Sequence, residues 1–103
     1  MIAMVVGVVR IDLRLFDIHS LKQKRSLVSR LLNRLRSRFP LSVAEVGHQD
    51  LLQRTVLGAS MAAGTEAIVQ SVFKNLEDDL YSSGSVEIIE LDIEYLHYGE
   101  TIR

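Results

Sequence analysis

The side chains best suited to acid–base chemistry lie in one short stretch of the sequence. This stretch holds six polar or charged residues, which are Glu45, His48, Gln49, Asp50, Gln53 and Arg54. A carboxylate, an imidazole and a guanidinium could transfer protons and hold the charge of a phosphate ester. No paired nucleophile and no glycine-rich phosphate-binding motif accompanies them. We therefore expect a non-catalytic loop, and the protein not to be an enzyme. Either the loop binds a partner, or Asp50 caps backbone amides and pairs with Arg54.

Metal and cofactor chemistry has little support in the sequence. The chain has no cysteine, and its three histidines, His19, His48 and His97, lie far apart. Such spacing is not typical of a metal site. We expect no metal and no cofactor.

The second candidate for function is a basic segment. Seven of the twelve Lys and Arg residues lie between Ser20 and Arg38, where no acidic residue occurs. They are Lys22, Lys24, Arg25, Arg30, Arg34, Arg36 and Arg38. Although the net charge is −1, ten basic residues oppose four acidic ones up to Arg54, and two oppose nine after it. Segregated charge of this kind favours an anionic partner. The alternative is a solvated helix surface whose arginine stems cover the edge of the core.

Hydrophobic periodicity predicts the elements that position these residues. Residues 2–15 are rich in Val and Ile and alternate with polar residues after Val9, and 86–98 alternates likewise, which indicates two strands. Shorter strands are expected over 41–46 and 53–63. A helix is expected from a capping box at Ser20 and Gln23 to Pro40, which cannot continue it. A second helix is expected to begin after Thr65. Gly7 and Gly58, inside strands, indicate a bulge or a close helix approach.

The order βαββαβ predicts one ferredoxin-like α+β domain over residues 1–103. Right-handed crossovers give a four-stranded antiparallel sheet of order 4-1-3-2 with both helices on one face. On the opposite, open face, the first strand presents Arg10 and Arg14 to the acidic residues of the fourth strand. Those acidic residues are Glu90, Asp92 and Glu94. We expect cross-strand ion pairs there.

The open face also carries apolar residues towards the start of the first strand and the end of the fourth. They are Met4, Val6, Val8 and Leu96. Exposed apolar patches often mark an interface, so we expect a homodimer that uses this face or an edge strand. The longest apolar run near the start, 1–9, is too short to span a bilayer. A cytoplasmic protein without a membrane partner is expected.

Two sequence motifs support a family resemblance. The segment His19-Ser-Leu-Lys-Gln-Lys-Arg-Ser26, and the segment Val43-Ala-Glu-Val-Gly-His-Gln-Asp50 with Gln53-Arg54, resemble the small bacterial YlxP-like proteins of unknown function. The resemblance implies a ferredoxin-like fold and a gene often found among translation and ribosome-maturation factors. It implies no established activity. Leu52 stands where relatives often have tryptophan, which disfavours base stacking at this loop.

Together these features predict a non-catalytic accessory protein that binds structured, ribosomal RNA through the basic helix and the adjoining hairpin loop. The expected phosphate contacts are Lys22, Lys24, Arg25, Arg30, Arg36 and Arg54. Gln49 and Gln53 would touch sugars or bases. The alternative functions are a dimeric regulatory domain that senses a small molecule, and a protein-interaction module.

Overall fold

The computed structural model describes residues 3–99, and Ile2, at the expected start of the first strand, lies outside them. Four strands and two helices follow the predicted order. They are β1 (Met4–Leu15), α1 (Leu21–Arg38), β2 (Ser42–Gly47), β3 (Arg54–Ala63), α2 (Glu66–Ser82) and β4 (Val86–Tyr98). All neighbouring strands are antiparallel, and their order across the sheet is β2-β3-β1-β4. The predicted order 4-1-3-2 is therefore confirmed.

Alternation along β1 separates the helix-covered face from the open face. The covered face contributes Val5, Val9, Ile11, Leu13 and Leu15 to the core. Gly7 lies on the same face, and the pairing of β1 continues through it without a register shift. A β-carbon there would lie only 2.2 Å from Cγ1 of Val69 and 2.9 Å from Cε2 of Phe73. Glycine at this position therefore lets α2 approach the sheet closely.

Capping fixes the start of α1. The Ser20 hydroxyl accepts a hydrogen bond from the Gln23 amide at 3.1 Å, and the Gln23 side chain accepts one from the His19 amide at 2.7 Å. This confirms the predicted cap, although the glutamine reaches one residue beyond the usual partner. The helix ends at Arg38, since Phe39 is extended before Pro40.

The buried stripe of α1 departs, in its first turn, from the apolar pattern of the sequence. The buried residues are Lys24, Val28, Leu31 and Leu35, whereas Leu21, which the apolar pattern assigned to the stripe, is 42% exposed. The spacing of Lys24, at four, seven and eleven residues from Val28, Leu31 and Leu35, makes one continuous row over about three turns. A lysine thus occupies a position that periodicity reserves for an apolar side chain.

A buried carboxylate joins the two helices. Asp79 of α2 accepts hydrogen bonds on Oδ1 from Arg34 at 2.8 Å and from Arg38 at 2.5 Å. Its side chain is almost fully buried, so these arginines serve the packing of α1 on α2. The start of α2 is capped as predicted, with the Thr65 hydroxyl accepting from the Ile68 amide at 3.3 Å.

The open face shows the expected ion pairs between β1 and β4. Arg10 bonds both Glu90, at 2.9 Å, and Asp92. Arg14 instead pairs with Glu87, at 3.6 Å, because the register shifts by one residue at Ile89 and sets Arg14 opposite Glu87. Within residues 3–99, no helix is long and apolar enough to cross a membrane.

Candidate functional site

The outward side of α1 carries cations and small polar side chains together. Four exposed residues with hydroxyl or amide groups recur along it at helical spacing, and they are Ser26, Ser29, Asn33 and Ser37. Lys22, Arg25, Arg30 and Arg36 are exposed around the same surface. We call these eight residues the α1 surface. Sequence reasoning missed its serines and asparagine, although their spacing of three and four residues indicates one helix face.

Ion pairing separates the α1 surface from the rest of the protein. Of the eleven basic residues within 3–99, seven form salt bridges with carboxylates. These seven are Arg10, Arg14, Lys24, Arg34, Arg38, Arg54 and Lys74. The other four are the cations of the α1 surface. Unneutralised positive charge in this part of the chain is therefore confined to a single helix.

The four free cations are held only by weak or local contacts. Nε of Arg30 donates to the backbone carbonyl of Ser26 at 3.3 Å, within the same helix. Nη2 of Arg36 donates to the carbonyl of Val43 at 2.9 Å, which leans this side chain towards β2. Lys22 and Arg25 form no side-chain hydrogen bond with any residue of the described range. Their charges are available to an external anion.

Lys24 does not belong to this surface, which corrects the sequence prediction. Its side chain is only 3% exposed and lies between α1 and the β2–β3 hairpin. Nζ donates to the carbonyl of Leu51 at 2.5 Å and to that of His48, and lies 3.5 Å from the Glu45 carboxylate. Three acceptors therefore surround the ammonium group. Its position in the buried row of α1 explains why it cannot reach a phosphate.

The buried ammonium shapes the hairpin loop, 48–53. His48 has a left-handed backbone, with φ of 57°, and its carbonyl also accepts the Leu51 amide at 3.1 Å. Glu45, besides its ion pair with Lys24, accepts a hydrogen bond from the Thr55 hydroxyl at 2.6 Å. This carboxylate is thus committed to the internal contact with Lys24 and Thr55. Proton transfer by Glu45 to an external substrate has no support in this arrangement.

Arg54 lies apart from α1, and its predicted pair with Asp50 is wrong. Its guanidinium binds both carboxylate oxygens of Asp12, at 2.7 and 2.9 Å, on the open face of the sheet. The β1–β3 register sets this pair, because Arg54 stands opposite Arg14, two residues along β1 from Asp12. Arg54 therefore faces away from the helices, and it cannot contact a phosphate bound on α1.

The two glutamines of the loop are both exposed, and Gln53 joins the loop to the turn before α1. Gln53 is exposed and donates from Nε2 to the carbonyl of Ile18 at 3.2 Å, which ties the loop to the turn before α1. Gln49 is exposed at the tip of the loop. A shallow cleft of about 400 Å³ runs from this turn along α1 and is lined partly by Ile18, Lys22 and Arg30.

A metal centre is not assembled by the described residues. Within 3–99, no group of three or more His, Asp or Glu side chains is placed to hold a metal ion. The ring of His97 lies 2.8 Å from the Glu66 carboxylate, so this histidine links β4 to the start of α2. His48 contributes its backbone carbonyl to the Lys24 contact.

The open face carries an apolar area next to its ion pairs. Met4, Val8 and Leu96 are 37%, 47% and 61% exposed, while Val6 is half-buried. The register places Val6 opposite Leu96, so these side chains share one face. Tyr98 extends the same area.

Comparison with known proteins agrees with the resemblance seen in the sequence. The family described as "Protein of unknown function (DUF503)" matches residues 6–93. The uncharacterized protein YlxP of Bacillus subtilis (strain 168) is 36% identical over 66 residues, covering 64% of this chain and 70% of that protein. Among solved structures, the de novo designed protein Foldit4 has a TM-score of 0.49 at 13% identity, covering 90% of this chain and 96% of the designed chain. Since the family match runs from β1 to β4, and the relative shares more than a third of the aligned residues, the chain belongs to this YlxP-like family of unknown function.

Proposed function

We propose that the protein is a non-catalytic accessory factor that binds structured RNA through the α1 surface. The carrying observation is that every basic residue of 3–99 without a carboxylate partner lies on α1. A protein gains affinity for nucleic acid when its cations displace the counterions of phosphates. Cations already neutralised by carboxylates contribute less to that exchange. Lys22, Arg25, Arg30 and Arg36 are therefore the expected phosphate contacts.

The polar residues between these cations support backbone recognition. Serine and asparagine side chains commonly donate hydrogen bonds to phosphate and sugar oxygens, and such contacts position a protein without reading bases. From Lys22 to Arg36 the helix rises by about 21 Å, which is enough for several consecutive phosphates. Gln49 and Gln53 would extend the contact from α1 to the hairpin loop.

Structured RNA fits this surface better than an unpaired strand. Single strands are usually held by aromatic side chains on which bases stack. The α1 surface contains no aromatic residue, and the loop offers Leu51 and Leu52 instead. A helical backbone needs only charge and hydrogen-bond donors. The gene surroundings that the family resemblance implies favour ribosomal RNA as the partner.

A salt series tests the proposal. Binding to ribosomal RNA fragments would be measured for the natural protein and for Arg25→Glu with Arg36→Glu. About four neutralised phosphates give a slope of roughly −3 in a plot of log affinity against log salt concentration. The double variant is expected to bind weakly and with a slope at least halved.

A matched control carries the same change in charge elsewhere. Arg14→Glu with Lys74→Glu also reverses two exposed basic residues, but both have carboxylate partners in the natural protein. This variant should bind RNA nearly as the natural protein does. Equal losses for the two double variants, or no binding at low salt, would contradict the proposal. Strong thermal stabilisation by a metabolite with no response to RNA would favour the small-molecule sensor instead.

We also propose that the open face mediates a homodimer. The exposed apolar side chains of Met4, Val8 and Leu96 lie beside small residues of β3 on that face, so two sheets could approach closely. Light scattering coupled to size exclusion should give twice the 11.6 kDa of one chain. Val8→Asp should shift the protein to monomer, while Ile68→Asp, at an exposed apolar position of α2, should not. A monomer at high concentration would exclude this dimer.

A further inference from the structure

The outer edge of β4 is a long strand edge that pairs with no other strand of the described residues. β4 pairs with β1 alone, and no other strand of residues 3–99 lies beside it. Its thirteen residues contain neither proline nor lysine, which are the residues that natural proteins often place on edges to block pairing. Its outward backbone amides and carbonyls therefore form a template for an added strand.

An irregularity in β4 defines which part of this edge is usable. The register shifts between Asp12 and Leu13, so Ile89 is the extra residue on β4. Bulges twist an edge and interrupt pairing. From Glu90 to Tyr98 the pairing with β1 is regular. These nine residues, which we call the β4 edge, are long enough for an added strand of ordinary length.

The open-face side chains of the β4 edge give it negative charge. Glu90, Asp92 and Glu94 alternate along it, and Arg10 is shared between the first two. Glu94 stands opposite Val8 and forms no salt bridge with any residue of 3–99. Three carboxylates thus face one guanidinium. An added strand with basic side chains on this face would complete the pairing.

The other face of the β4 edge is apolar. Leu91, Ile93 and Tyr95 point to the side of the helices, and Ile93 remains 38% exposed. An added strand would place every second side chain over this row, because side chains alternate between faces. On the open face of the same edge lies a cleft of about 570 Å³, lined mainly by Val8, Arg10, Asp92 and Glu94.

A second copy of the chain does not suit this edge. In a two-fold antiparallel pair, the residues opposite one another share a face. Two β4 edges would therefore set the acidic row of one chain, Glu90, Asp92 and Glu94, against the acidic row of the other. Like charges directly opposite one another are destabilising. The acidic row protects the edge from self-pairing and selects a partner of opposite charge.

We propose that the β4 edge binds, by strand addition, an extended protein segment in which Lys or Arg alternates with apolar residues. Backbone hydrogen bonds provide the affinity of such complexes, and the alternating side chains provide their specificity. The basic side chains would meet Glu90, Asp92 and Glu94, and the apolar ones would cover Ile93. The β4 edge lies at one edge of the sheet, and α1 packs over β2 at the other edge. The inference therefore holds whether or not α1 binds RNA.

Synthetic peptides test the proposal on the full-length protein. The probe is a capped, labelled peptide of about eight residues that alternates lysine and valine. Fluorescence anisotropy should show binding, and hydrogen exchange should show new protection of the Glu90–Tyr98 amides. Glu94→Lys should weaken binding by about three- to tenfold. Asp78→Lys, the same charge reversal on α2, should leave it unchanged.

Two further peptides separate strand addition from simple charge attraction. A peptide of the same sequence, methylated at alternate backbone amides, keeps its charge but cannot form a strand ladder, and it should bind at least tenfold more weakly. A glutamate–valine peptide should not bind. Equal binding of the methylated peptide, equal effects of Glu94→Lys and Asp78→Lys, or protection elsewhere than Glu90–Tyr98 would overturn the proposal.

Discussion

Replacing the buried lysine of α1 tests how the hairpin loop is held. Lys24→Met keeps most of the aliphatic stem but removes the ammonium group. The carbonyls of His48 and Leu51 then lose their donor, and Glu45 loses its countercharge. The substitution should therefore destabilise the fold and loosen the loop, rather than act on an anionic partner directly.

The size of the effect follows from burial. Removing one partner of a fully buried ion pair costs about 3–5 kcal/mol. The Glu45 side chain is 20% exposed and the loop carbonyls lie near solvent, so water compensates for part of the loss. We expect a decrease of about 2–3 kcal/mol in the free energy of unfolding, since hydrogen bonds to charged groups contribute about 1.5–3 kcal/mol each. For a domain of this size that corresponds to a melting temperature lower by about 10–20 °C.

Lys22→Met is the matched control. It makes the same chemical change two residues earlier in the same helix, at an exposed side chain without a partner in the described range. It should alter the stability by no more than about 0.5 kcal/mol. Urea unfolding gives both free energies, and hydrogen exchange of the 48–52 amides reports on the loop.

In the RNA assay, Lys22→Met should have the larger effect, although Lys24→Met should have the larger effect on stability. Lys22→Met should reduce the salt slope by about one unit, since it removes one of the proposed phosphate contacts. Lys24→Met should leave the slope unchanged at temperatures where it is folded. If Lys24→Met were as stable as Lys22→Met, with no faster exchange in the loop, the buried ammonium would not be what organises the hairpin.

Three other predictions concern the core and the open face. Gly7→Ala should cost about 1–3 kcal/mol of stability in urea unfolding, because its β-carbon would collide with Val69, and Val69→Ala should recover part of the loss. The hydrogen bond and charge of Arg10 hold the pKa of Asp92 below its ordinary value of 3.8. This pair therefore stabilises the fold above pH 3.8 and loses its effect as the pH falls through the lower folded value. A carboxylate titration by NMR should show the pKa of Asp92 rising in Arg10→Met. Asp79→Asn should destabilise the protein by about 2–4 kcal/mol in thermal unfolding, because two arginines of α1 then share no countercharge.

Most of the fold could be predicted from local signals. The caps at Ser20 and Thr65 and the alternation of β1 and β4 each act within a few residues, so the sequence displays them directly. The connection rules for such domains then leave little choice of sheet order. The cross-strand pairing of Arg10 with the acidic residues of β4 followed from that order.

The site was less predictable, because its decisive contacts are long-range. Lys24 looks like one more surface cation in a basic helix, and its acceptors are supplied 24 and 27 residues later in the chain. The sequence places Asp50 only four residues from Arg54, whereas Asp12, its actual partner, is brought to it by the register of β1 against β3. Which cations of α1 stay unpaired depends likewise on where α2 brings Asp79.

The separation of charge across the sheet gives the molecule an electric dipole that its net charge of −1 conceals. α1 lies over β2 at one edge, and the acidic row of β4 lies at the other. Three strand spacings, about 14 Å in all, exceed the screening distance of about 8 Å at physiological salt. An approaching polyanion therefore interacts mainly with whichever edge is nearer, and it turns the protein so that α1 leads. Net charge alone would make the association rate fall as salt is removed. The dipole reverses this dependence on salt, so association with the proposed RNA partner should become faster at low salt.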